Sequence, residues 1–126
     1  MAVTYATDVK TARMNAVVTE IDAGASAGVL QIGTSAMGTV LAEFTLSDPC
    51  GTVTTGVLTF SGFPKSDTSA NASGTAAAAR IRDSDGNDVI TGLTVGTSGT
   101  DIILDSVSIT SGQTVTLNSA SITHAT

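Results

Sequence analysis

The stretch Arg80-Ile81-Arg82-Asp83-Ser84-Asp85-Gly86-Asn87-Asp88-Val89-Ile90 decides the fold class. Asp-Gly between two β-branched segments is a strong hairpin signal, because the favoured two-residue turn needs positive φ at its centre. A turn at Asp85-Gly86 sets Ile81 opposite Ile90, so turn chemistry and apolar pairing agree on one register. The same vocabulary runs through the chain from Gly28 onward: short runs rich in Thr, Val and Ile, separated by Gly, Ser, Asp and Pro.

Strands are expected near residues 29–32, 39–46, 52–61, 76–83, 88–95, 101–105, 106–110 and 114–123, about eight in all. Val107 to Leu117 reads as a second hairpin, whose three-residue loop sets Ile109 opposite Val115 and Val107 opposite Leu117. The segment Pro64 to Gly74, PKSDTSANASG, reads as a polar loop suited to partner contact, with Lys65 and Asp67 as its charged residues. No second helical pattern lies between the strands. The expected fold is therefore mainly β, an antiparallel β-sandwich or jelly-roll-like barrel of residues 28–124.

One helix precedes it, over residues 7–23. Val9, Met14, Val17, Val18 and Ile21 recur at helical spacing, Thr7 or Asp8 offers an N-cap oxygen, and Gly24 follows as a C-terminal stop. The stripe at Met14, Val17, Val18 and Ile21 needs a surface to cover, either its own sheet or a neighbouring subunit. With Lys65 and Asp67, these four residues are the candidate interface.

A chain of 126 residues supports a single domain, 1–126. Its net charge of −6 disfavours nucleic acid and anionic membranes as partners. Beyond Arg82 no lysine or arginine occurs, so the C-terminal third is acidic and suits a basic neighbour. No run approaches the roughly 20 apolar residues of a membrane span, and MAVTYATDVK lacks the pattern of a secretory leader. The lone Cys50 fits synthesis in a reducing cytoplasm.

Chemistry-bearing residues are scarce. Asp83-Ser84-Asp85-Gly86-Asn87-Asp88 offers hard oxygen ligands for calcium, but its glycine is fourth and position twelve is Thr94, against the EF-hand pattern. A plain turn is the stronger reading. His124 has no second His or Cys near it in sequence, and Cys50 has no basic neighbour to activate it. Walker and dinucleotide motifs are missing from the sequence. No catalytic residue, metal or cofactor is expected.

Val3-Thr4-Tyr5 leading into Lys10-Thr11-Ala12-Arg13-Met14 is followed by Thr55-Gly56-Val57-Leu58-Thr59-Phe60-Ser61-Gly62-Phe63-Pro64, Thr75-Ala76-Ala77-Ala78-Ala79-Arg80-Ile81 and Ile109-Thr110-Ser111-Gly112-Gln113-Thr114-Val115. Together these resemble small virion structural proteins of tailed bacteriophages, over most of the chain. The resemblance implies a capsid decoration or cement subunit: non-enzymatic, made in the host cytoplasm, bound to the major capsid protein or another virion protein, and a homo-oligomer, dimer or trimer. The alternative is a tail or fibre-associated module contacting host glycan or another virion protein.

Overall fold

The structure, a computed structural model, describes residues 4–24 and 26–123. Its elements are α1 (Thr7–Ile21), β1 (Val29–Gly33), β2 (Val40–Thr45), β3 (Gly51–Thr54), β4 (Val57–Phe60), β5 (Lys65–Asp67), β6 (Gly74–Thr75), β7 (Ala78–Arg82), β8 (Asp88–Leu93), β9 (Val95–Gly96), β10 (Ile102–Leu104), β11 (Ser108–Ile109) and β12 (Val115–Thr123). A mainly β chain with one N-terminal helix is what the sequence led us to expect. The strands are more numerous and shorter than expected.

Two main sheets form an antiparallel sandwich. One has the order β2-β1-β7-β8, the other β3-β4-β12-β10-β9, and β5 also pairs with β12. Strands β4 and β5 lie along the same side of β12, and the register slips by two residues between them, across Ser61 to Pro64. The pair β9·β10 is parallel, a departure from the all-antiparallel expectation. Inward side chains of both sheets share one core, including Leu30, Ile32 and Ile81 from the first and Leu58, Ile102 and Leu117 from the second. Aliphatic residues dominate it, with Phe44 and Phe60 the aromatic contributions.

Helix α1 packs on β3, β4 and β8, covering core that the sheets leave open. Met14 and Ile21 are buried and Val17 and Val18 pack against the core, so the stripe covers its own sandwich. The expected side-chain N-cap does not form: Ala6 occupies the cap position and no side chain bonds there. Asp8 in the first turn still complements the helix dipole. Two bonds fix the helix to the second sheet. Gly56 N–H donates to Thr11 Oγ1 at 3.0 Å, and Cys50 N–H donates to Asp22 Oδ1 at 3.1 Å.

The deciding hairpin keeps its Ile81–Ile90 pair by another route. Asp83 N–H bonds Asn87 O, which makes a three-residue loop with Gly86 at φ 87°, and a bulge between Asp88 and Ile90 restores the expected register. The second expected hairpin is overturned. Ile109 pairs with Gly74 and β12 pairs with β4, β5 and β10, so residues 107–117 form no local ladder. The span 52–61 is itself a hairpin, turning at Thr55-Gly56 with φ values of 49° and 79°. The span 88–95 divides between the two sheets.

Candidate functional site

Lys65 and Asp67 were expected on an open loop, and the structure places them on strand β5 instead. Their register partners on β12 are Leu117 and Val115, both buried, so the two charged side chains point toward the space between the sheets. Inward charges at a sheet rim oppose edge-to-edge pairing. Asp67 Oδ2 accepts from Glu43 N–H on β2 at 3.0 Å, and its Oδ1 accepts from Ser69 N–H at 3.0 Å. Lys65 Nζ lies 3.5 Å from Ser47 Oγ and 5.7 Å from the Phe63 ring centroid.

An open cleft of about 390 Å³ lies between β2 and β5, lined by Glu43, Phe44, Thr45, Lys65, Ser66, Asp67 and Thr68. Asp67 bridges it to Glu43, and Ser47 Oγ donates to Ser61 O at 3.4 Å. The geometry is that of a polar seam closing one side of the sandwich. The rest of the 64–74 segment is also stitched down: Ala70 N–H bonds Gln113 O, Asn71 N–H bonds Leu41 O, and Ser111 N–H bonds Ser73 Oγ. The candidate interface residues therefore do not meet: the helix residues face the core, while Lys65 and Asp67 close the seam.

Asp83 spends its oxygens on the turn itself. Asp83, 9% exposed, accepts through Oδ1 from Asp85 N–H at 3.0 Å and Asn87 N–H at 2.9 Å, and through Oδ2 from Asn87 Nδ2 at 3.2 Å. These bonds, the Asn87 N–H first, hold its carboxyl below the ordinary range, against the opposing effect of burial. Asp88 pairs with Arg82 Nε at 2.7 Å, and so turns toward β7. Among the described residues, no group of three or more His, Cys, Asp or Glu converges as a metal site would require. His124 lies outside the described residues.

Other carboxylates follow the same pattern, which sequence reading missed. Asp101 Oδ2 accepts from Thr94 N–H and Thr94 Oγ1, both at 3.1 Å, at the point where the chain passes from β8 to β9. Asp105 Oδ1 accepts from Asn118 Nδ2 at 2.9 Å. Cys50 is buried, and desolvation, reinforced by the Asp22 carboxylate, pushes its thiol up to about 12. Burial also raises Asp22, beyond what its bond from Cys50 N–H offsets.

No described helix is long and apolar enough to cross a membrane, which leaves strands aside. Compared with protein-family models, curated proteins and solved structures, the chain matches none.

Proposed function

We propose that this chain is a non-enzymatic structural subunit that binds and braces a larger assembly, and that the assembly is the head of a tailed bacteriophage. The observation that carries the first part is where the carboxylates go. Asp22, Asp67, Asp83, Asp101 and Asp105 accept hydrogen bonds from the chain's own backbone or amide groups. Even Asp22, which burial pushes up, is committed to the Cys50 N–H, so these bonds brace the fold.

The assignment to a virion rests on the sequence resemblance, and the acidic C-terminal third supports contact with a basic neighbour. A lattice of identical sites lets weak contacts add through multivalency. The glycan-binding alternative draws less support. Glycan sites pair an aromatic platform with polar groups, but Phe44 and Phe60 are core residues, Phe63 packs against the core, and Tyr5 is the one exposed aromatic among the described residues.

Electron microscopy of the parent particle with and without this protein tests the proposal. Regularly spaced density on the head, lost when the protein is omitted, is expected. Density confined to the tail, or none, overturns the head assignment.

A further inference from the structure

Of the two bonds that tie α1 to the second sheet, only one can change its charge. Gly56 N–H donates to the hydroxyl of Thr11, in the first half of the helix, and Cys50 N–H donates to the carboxylate of Asp22, at its end. A threonine hydroxyl stays neutral throughout the range in which a carboxyl titrates. The first tie is therefore indifferent to pH and the second is not.

The surroundings of Asp22 oppose a negative charge. It holds the C-cap position, where its own N–H bonds Val18 O at 2.9 Å and the carbonyls of the last turn form the negative pole of the helix. A base suits that place, yet the last turn has none. The charged groups that gather there are acids. Glu20 lies on the last turn, Asp48 stands two residues before Cys50, and Asp85 Oδ2 is 3.4 Å from where a Cβ on Gly24 would be. Beneath the helix, β3 and β4 carry no charged residue, and the one on β8, Asp88, is paired with Arg82. Lys65 meets the 46–50 segment at Ser47 Oγ, 3.5 Å away, and not at a carboxylate.

Burial raises the Asp22 carboxyl above its ordinary range, the Cys50 N–H draws it down and the Asp48 charge pushes it up again, leaving it high. Protonation removes the charge that this end of the helix rejects, and the carboxyl keeps a carbonyl oxygen for the Cys50 N–H.

We infer that the Asp22–Cys50 tie is an acid-tightened clasp, which holds the C-terminal end of α1 most firmly when Asp22 is protonated and loosens as Asp22 ionises. Ile21, fully buried one residue earlier, keeps the helix seated while its end opens. At neutral pH α1 is thus held better at Thr11 than at Asp22. The sign is opposite to that of Asp83, whose bonds favour the charged form. The contribution of Asp22 is present below the unfolded value, about pH 4, and is lost as pH rises through the folded value. This device does not depend on the proposed function.

Amide hydrogen exchange on the full chain, corrected at each pH for the intrinsic rate, tests it. Protection of the Cys50 amide relative to the Gly56 amide should rise severalfold between pH 7 and about pH 4. Global unfolding exposes both amides, so the ratio reports the clasp alone. Asp22→Asn keeps the acceptor and drops the charge. It should make the ratio independent of pH and raise the melting temperature at pH 7, by a margin that shrinks in acid. A parent ratio that stays constant or falls in acid, a pH dependence that survives in Asp22→Asn, or a lower melting temperature for that variant at pH 7 would overturn the inference.

Discussion

Thr55 carries a backbone cost that its own side chain does not relieve. At φ 49° it sits in the left-handed region, where a β-branched residue is strained and asparagine is tolerated. Its hydroxyl bonds only the neighbouring Thr54 O. Thr55→Asn is therefore predicted to raise stability by about 1 kcal/mol in urea unfolding, since Asn-Gly is the preferred pair for this turn. Asp83 is the opposite case, a residue whose bonds favour the charged form. Its carboxyl is held low in the folded state, so its contribution is present above the unfolded value, about pH 4, and is lost as pH falls through the folded value. Asp83→Asn should lower the melting temperature at pH 7, and the gap from the parent should narrow as pH falls below the unfolded value of about 4. A gap that persists unchanged in acid would contradict this role. At Cys50 the sign reverses. The folded state keeps its proton to about pH 12, so stability should fall as pH rises from about 9, where an unfolded thiol ionises. At pH 8 a thiol reagent should label Cys50 no faster than the chain unfolds.

Elements made by near neighbours were legible in the sequence, and those made by distant partners were not. Helix α1 showed its core stripe, and β12 was read almost to its ends because Val115, Leu117, Ala120 and Ile122 mark it as one apolar run, stepped by a bulge between Leu117 and Ser119. The Ile81–Ile90 pair was legible because a Gly-containing turn fixes it within a few residues. The same reasoning failed for Val107 to Leu117, since the partner of Ile109 is Gly74, far back in the chain. Strand β5 was missed for a related reason: Lys65-Ser66-Asp67 has no apolar residue to signal it and owes its extension to β12. The role of Asp67 across the seam was hidden with it. Its single bond to Glu43 N–H links the edge of one sheet to the other. Asp67→Ala is predicted to cost about 1 kcal/mol and to speed hydrogen exchange at the Glu43 amide, while the amide of Leu30, deep in the first sheet, stays protected. Equal acceleration at both would mean global loosening in place of a local latch.

At the scale of the whole molecule, a light aliphatic core is closed by one helix on one side and a polar seam on another. Truncation in the centre should be costly: Leu117→Ala, at a buried site flanked by β5 and β10, is predicted to lose about 2–5 kcal/mol. The unequal charge, with every base at or before Arg82 and five aspartates after it, gives the molecule an acidic region that a basic lattice would attract. Fold class was readable from this composition, whereas the packing of the helix stripe on its own sandwich and the place of Lys65 and Asp67 on β5 came only with the tertiary structure. On the proposed function, the chain works by adhering to a shell. Titrating purified protein onto bare heads and measuring the bound fraction by cosedimentation tests it most directly. The account predicts saturable binding at micromolar concentration, with a fixed number of copies per head and weakening as salt rises. Protein that stays in the supernatant at every concentration would contradict it.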